Sequence, residues 1–168
     1  MEKGNAEKII TMLEITTIEG NDTVAGARIA IVASSYNSFI VDRLLEACID
    51  YLRNDGVQKN DIILVRVPGA YEIPVAVKRL ADKKDYDAII ALGAVIRGET
   101  PHFDYIASEC CRGLSTIALQ ADVPVILGVL TVDDTQQALD RSGDEQSNKG
   151  SESAKAALEM ISVLRKIG

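Results

Sequence analysis

The chain has 168 residues, of which 47% are hydrophobic, and it carries a formal net charge of −7. This length suits one domain with a substantial core. The acidic balance argues against general binding to nucleic acid or to a membrane surface, because both partners are anionic. No apolar run is long enough to span a bilayer, and the first residues resemble no secretory signal, so we expect a cytoplasmic protein.

The N-terminal arm, residues 1–27, is polar, and residues 15–18 within it are a candidate short strand without an obvious partner in the chain. From residue 28 onward, apolar strands alternate regularly with helical patterns. Strands are predicted at residues 29–33, 62–67 and 124–130 and in the apolar run that starts at Ala88. This alternation predicts one domain over residues 28–168. Its fold class is a three-layer α/β/α sandwich with a mainly parallel four-stranded sheet, extended at one edge by the arm.

The three cysteines, Cys48, Cys110 and Cys111, fall inside predicted helices and lack the spacing of a metal site. A chain of this length needs no disulfide framework for stability. We therefore interpret these cysteines as reduced packing residues.

The most informative stretch runs from Ala88 through a break at Gly98 to a helix that carries His102, the only histidine of the chain. Thr100 and Pro101 are predicted to be the N-cap and the first helical residue. A helix start offers backbone N–H groups and the positive end of the helix dipole to an anion. A histidine beside it can move protons near neutral pH. The alternative is an ordinary surface or helix-cap histidine, but its position at the carboxyl edge of a sheet favours a catalytic role.

Other residues at the predicted strand ends suit a planar and phosphorylated ligand. Tyr36 and Tyr71 can flank a planar ring, and Glu72 can accept hydrogen bonds from hydroxyl groups. Arg141 and Lys149, in the polar segment before the last helix, are candidate phosphate ligands. Half-buried aromatic residues and a solvated surface loop are the alternatives.

Four segments carry a resemblance to a known family. They read VPGAYEIP at 67–74, GAVIRGETPHFDY at 93–105, PV followed by GVLT within 124–131, and NKG at 148–150. Together they closely resemble the 6,7-dimethyl-8-ribityllumazine synthases, from about residue 28 to the C-terminus. The resemblance implies a flavodoxin-like fold and a transferase of riboflavin biosynthesis. Its substrates would be 5-amino-6-(D-ribitylamino)uracil and 3,4-dihydroxy-2-butanone 4-phosphate, with no metal or organic cofactor.

The same resemblance implies roles for individual residues. His102 would shuttle protons, and Tyr36 would stack on the pyrimidine. The ring and the ribityl chain would be held by Ala70, Tyr71, Glu72, Ala94, Val95 and Ile96. The phosphate would be held by backbone groups of Glu99 and Thr100 and by the side chains of Arg141 and Lys149, while Leu127 would line the butanone pocket.

The chain departs from the family pattern at a few positions. Ser35 stands where an arginine is usual, Leu127 replaces an aromatic or polar residue, and Asp144 and Glu145 add negative charge to the loop near the phosphate. These departures bear on substrate affinity more than on activity, because none removes a proposed catalytic group.

The family also implies self-association, and no membrane or nucleic-acid partner. Its members form pentamers, and some form hollow capsids of sixty subunits, which can associate with riboflavin synthase. The active site would lie between two subunits, and the arm would pair with a neighbouring subunit. Two alternatives remain open at this point: a non-catalytic relative that binds flavin or lumazine, and a mainly shell-forming subunit.

Overall fold

The structure is a computed structural model and describes residues 15–143 and 147–168. Its strands are β1 (Ile29–Ser34), β2 (Ile62–Val67), β3 (Ala88–Ile96) and β4 (Val125–Val132). Its α-helices are α1 (Ser38–Asn54), α2 (Ile73–Lys83), α3 (His102–Gln120), α4 (Thr135–Arg141) and α5 (Lys149–Ile167). Short 3₁₀ helices, Lys59–Asp61 and Ala70–Glu72, precede β2 and α2. Each strand and helix that the sequence predicts from residue 28 onward is present.

The four strands form one sheet in the order β2-β1-β3-β4, and all three pairings are parallel. Ile29 of β1 lies opposite both Ile62 of β2 and Ala88 of β3. The chain therefore reverses direction across the sheet between β1 and β3. In open α/β sheets the turns beyond the carboxyl ends at such a point form the ligand crevice.

Helices cover both faces of the sheet, and the strand residues alternate between two buried clusters as a pleated strand requires. Along β1, Ile29, Ile31 and Ala33 pack in the cluster that includes α1 and α5, whereas Ala30 and Val32 pack in the cluster that includes α2 and α3. All residues of β1 are buried, as expected for a central parallel strand. The predicted three-layer, flavodoxin-like sandwich is confirmed.

A close helix contact joins α1 to α5 on the first face. A Cβ atom added to Gly150, near the start of α5, would collide with the backbone carbonyl oxygen of Leu44 in α1. Only a glycine lets the two backbones approach this closely. The contact fixes the start of α5, and with it the backbone of Lys149.

The end of the N-terminal arm packs on α5 of the same chain. The Ser162 hydroxyl lies 2.8 Å from Asn21 Oδ1, and Lys166 Nζ donates to the Glu19 carbonyl oxygen at 2.6 Å. Val24 and Ala27 are buried in the first cluster. Residues 19–27 thus have a partner in their own chain, which the sequence interpretation of the arm overlooks.

Residues 15–18 form no strand in the protomer, and the side chains of Ile15 and Ile18 are exposed. Pairing of the arm with a neighbouring subunit stays a prediction, and residues 1–14 lie outside the described part of the chain. The acidic pair Asp144 and Glu145 also lies outside the described residues.

All three cysteines are free thiols, and Cys48 and Cys110 are buried. Burial raises the pKa of each of these two thiols to about 12. A thiol with so high a pKa is almost entirely protonated at neutral pH and is a poor nucleophile. The buried cysteines therefore behave as apolar packing residues, as the sequence predicts.

Candidate functional site

The turn after β1 carries Tyr36 and is held by bonds to both neighbouring strand ends. The Tyr36 N–H donates to the Pro68 carbonyl oxygen at 3.0 Å, beyond the end of β2. Asn37 adopts a left-handed conformation with φ of 57°, and its Nδ2 donates to the carbonyl oxygen of Ala94 in β3 at 2.8 Å. Asparagine tolerates this backbone conformation better than most residues. The Tyr36 side chain, 73% exposed, is thereby presented above the crevice.

The turn after β2 presents Tyr71 and Glu72 from the 3₁₀ helix. Ala70 is buried, whereas Tyr71 is 59% exposed. Glu72 is half-buried, and its Oε2 accepts a hydrogen bond from the Gly69 N–H at 2.9 Å. One carboxylate oxygen therefore holds the turn, and Oε1 remains the atom available for a hydroxyl group of a ligand.

The end of β3 and the turn that follows it carry the predicted proton-transfer residue. Ala94 and Val95 are buried beneath the crevice, and Glu99, Thr100 and His102 are exposed beyond it. His102 is the first residue of α3, a helix of 19 residues.

The predicted helix cap at this turn is wrong by one residue. Pro101, not Thr100, occupies the N-cap position, and no side chain caps the helix. The φ of Pro101 is −64°, the value that its ring imposes, and this already suits a helix. Pro101 therefore takes the N-cap position, and Thr100 lies one residue before it, outside the helix.

Arg97 joins this turn to the turn after β4. Its Nε donates to Asp133 Oδ1 at 3.0 Å, and its Nη1 lies 3.1 Å from Asp104 Oδ1. The guanidinium also stacks over the Phe103 ring, 4.2 Å from the centroid. Hydrogen bonding to Asp133, and to a smaller extent to Asp104, raises the pKa of Arg97 above its ordinary value.

A separate cavity of about 370 Å³ lies along β4, at the edge of the sheet. Leu127, Arg141 and Lys149 all line it, and Leu127 is 53% exposed. Lys149 Nζ lies 2.5 Å from Glu152 Oε2. Arg141 Nη1 donates to the Gln137 carbonyl oxygen at 3.1 Å, and the guanidinium pairs with no carboxylate among residues 15–143 and 147–168.

The predicted site residues thus fall into two groups. The sheet-end group lies at or just beyond the carboxyl ends of β1, β2 and β3 and consists of Tyr36, Ala70, Tyr71, Glu72, Ala94, Val95, Ile96, Glu99, Thr100 and His102. The β4-edge group consists of Leu127, Arg141 and Lys149. No sheet-end residue lines the β4 cavity, so the predicted phosphate ligands line two different surfaces of one protomer.

Another cavity, of about 390 Å³, lies at the opposite end of the sheet and contains none of the predicted residues. Its two lysines are already paired with carboxylates: Lys78 with Asp82, and Lys84 with Asp122. Both lysine charges are therefore already compensated, and this cavity is not a candidate anion site.

Two residues at the site escape the sequence analysis, Asn37 and Arg97. The sequence does indicate a left-handed residue at Asn37, since asparagine adopts this backbone conformation more readily than most residues other than glycine. Arg97 has no such signal, because one of its two partners, Asp133, is 36 residues away along the chain.

Among the described residues, no three or more histidine, cysteine or acidic side chains lie close enough together to bind a metal ion. Within the same residues, none of the helices is both long and apolar enough to cross a membrane.

Residues 26–165 match the model of the family described as 6,7-dimethyl-8-ribityllumazine synthase. The matched range contains all four strands and every residue of the sheet-end and β4-edge groups. Members of this family are transferases that form 6,7-dimethyl-8-ribityllumazine in riboflavin biosynthesis, and they act on small-molecule substrates as oligomers. The chain belongs to the 6,7-dimethyl-8-ribityllumazine synthase family.

Proposed function

We propose that this chain is catalytically active and condenses 5-amino-6-(D-ribitylamino)uracil with 3,4-dihydroxy-2-butanone 4-phosphate, releasing water and inorganic phosphate. The observation that carries the proposal is His102, which is intact and exposed as the first residue of α3 beside the crevice. A relative that only binds flavin would need an aromatic side chain such as Tyr36 to stack on the flavin ring, but no residue that transfers protons at the position of His102.

His102 moves the protons of the reaction. The primary amine of the uracil attacks the ketone carbonyl, and a water leaves as the imine forms. Loss of phosphate then requires removal of a proton from the carbon next to the imine. A positioned histidine can serve both steps because imidazole exchanges protons near neutral pH. We assign it about 10²–10⁴-fold of the rate enhancement, and most of the rest to holding two substrates together.

The planar pyrimidine stacks on Tyr36. Support comes from the exposure of this ring and from the Asn37 hydrogen bond that fixes its turn. Ala70, Tyr71, Glu72, Ala94, Val95 and Ile96 surround the ring and the ribityl chain, with Glu72 Oε1 accepting from a ribityl hydroxyl.

The phosphate is held by the backbone N–H groups of Glu99 and Thr100, in the turn just before α3, together with Arg141 and Lys149. A helix start favours an anion because its N–H groups lack partners and its dipole end is positive. Leu127 lines the pocket for the butanone carbons. No metal or organic cofactor takes part.

We further propose that each active site combines the sheet-end group of one protomer with the β4-edge group of a neighbour. The division of the phosphate ligands between two surfaces supports this. Residues 28–168 would form the single domain of each protomer, and the arm, residues 1–27, would pair with the neighbour's sheet through its part before Glu19. The assembly would be a cytoplasmic pentamer, which can build a capsid of sixty subunits and associate with riboflavin synthase.

The decisive experiment mixes the two substrates with the purified protein and follows product absorbance and free phosphate together. Catalysis predicts that both appear in parallel and that a chelator changes neither rate. Lumazine binding without release of phosphate above the uncatalysed rate would instead identify a non-catalytic relative or a shell subunit.

A further inference from the structure

We propose that Arg97 is a positioning residue that sets the placement of His102. This inference rests on the proton-transfer role proposed above for His102. Arg97 touches neither substrate in the proposal, and it acts through the two residues that follow His102 in the first turn of α3.

The guanidinium holds that first turn through two contacts. Nη1 lies 3.1 Å from Asp104 Oδ1 and 3.3 Å from Asp104 Oδ2. The guanidinium carbon lies over the ring of Phe103, 4.2 Å from its centroid, and Phe103 packs against the buried cluster of α2 and α3. Because His102, Phe103 and Asp104 are consecutive, these contacts fix the backbone from which the histidine projects.

The other side of Arg97 is held by the turn after β4. Its backbone N–H donates to the Val132 carbonyl oxygen at 2.9 Å, and its Nε donates to Asp133 Oδ1 at 3.0 Å. The Asp133 N–H in turn donates to Gln137 Oε1 in α4 at 3.1 Å. Arg97, Asp104 and Asp133 thus link the start of α3 to the start of α4, and these three residues are called the brace.

The position of the His102 side chain depends on this brace, because His102 has few other contacts that could fix it. The His102 side chain is exposed and has no hydrogen-bond partner in the described part of the chain. The preceding turn, from Gly98 to Pro101, is exposed throughout. The placement of the imidazole therefore follows the backbone of the first turn, which Arg97 controls.

The brace serves catalysis more than global stability. Arg97, Asp104 and Asp133 have side-chain exposures of 41%, 56% and 70%, and ion pairs this exposed contribute little to the stability of a fold. Catalysis is more sensitive, since a misplacement of about 1 Å can cost about 10²-fold in rate.

The first test is Arg97→Lys, which keeps the charge but loses the fork that reaches two aspartates at once. We expect kcat to fall about tenfold while KM for the ribitylaminouracil stays unchanged. The matched control is Arg165→Lys at the other end of the sheet, where Arg165 also bridges two segments, through Asp87 and the Ala25 carbonyl oxygen. That control should leave kcat unchanged.

The second test combines Arg97→Lys with His102→Ala. If Arg97 acts through His102, the double variant has the same kcat as His102→Ala alone, because the positioned group is already gone. A tenfold loss in both backgrounds would overturn the inference, as would an unchanged kcat for Arg97→Lys. If His102→Ala itself left kcat intact, the proton-transfer role would fail and this inference with it.

Asp104→Asn provides a second variant in case Arg97→Lys does not assemble. It removes one ion pair from the brace and leaves the contact with Asp133. We expect a smaller loss of kcat, of about threefold, that again disappears in the His102→Ala background. A loss confined to KM would contradict the positioning role.

Discussion

The sheet-end group and the β4-edge group differ in how the fold holds them. The first lies at the carboxyl ends of β1, β2 and β3, where Asn37 ties the turn after β1 to β3 and Arg97 ties the turn after β3 to the turn after β4. The second lies on an edge strand that has no further strand beside it within residues 15–143 and 147–168, with Leu127 half-exposed and Arg141 lacking a carboxylate partner there. An apolar side chain and a cation left open at a sheet edge suit contact with something outside the protomer. This difference supports the proposal that the two groups of one protomer belong to two different active sites, each completed by a neighbour.

The largest expected effect belongs to the sheet-end group. Replacing His102 by alanine should lower kcat about 10²–10⁴-fold with KM nearly unchanged, since the histidine moves protons and does not bind the ground state. Residual activity should still exceed the uncatalysed reaction, because positioning of the substrates survives. Steady-state kinetics measure both constants, and a raised KM with an intact kcat would make His102 a binding residue only.

The β4-edge group should respond differently. Arg141→Ala should raise KM for the butanone phosphate about ten- to hundredfold with little change in kcat, because a charge-assisted hydrogen bond contributes roughly 1.5–3 kcal/mol. Arg53→Ala, at the last turn of α1, is the control for loss of one surface arginine and should change neither constant. A fall in kcat alone would place Arg141 in the chemistry instead of in phosphate binding.

The smallest expected effect concerns the hydrogen bond that the Asn37 side chain donates to the Ala94 carbonyl oxygen. Asn37→Gly keeps the left-handed backbone but removes the hydrogen bond to Ala94, which should lower the free energy of unfolding by about 1 kcal/mol. Asn37→Ala should cost about 1 kcal/mol more, because alanine is strained at this φ. Denaturant unfolding of the two variants separates the contributions, and equal losses would show that the backbone conformation is not strained.

The sequence predicts the fold almost completely because each strand is an apolar run bounded by turn residues, and each of the four longer helices has a marked apolar face. It also predicts that Tyr36, Tyr71 and His102 lie in the turns after the strand ends, while their roles stay predictions. It misses the brace at Arg97, because a contact between Arg97 and Asp133 depends on how β3 and β4 lie side by side. It misplaces the cap of α3 because Thr-Pro satisfies the local rule for an N-cap, while the proline ring decides the actual backbone.

The division of the site between protomers is tested most directly by mixing variants. His102→Ala and Arg141→Ala protomers would be assembled together in equal amounts, and kcat/KM would be measured at a butanone phosphate concentration far below KM. In random assemblies about one quarter of the interfaces would join an intact His102 to an intact Arg141 of the neighbour. The account therefore predicts recovery of about one quarter of the wild-type kcat/KM. Activity that stays at the average of the two parent variants would show that each protomer builds its site alone.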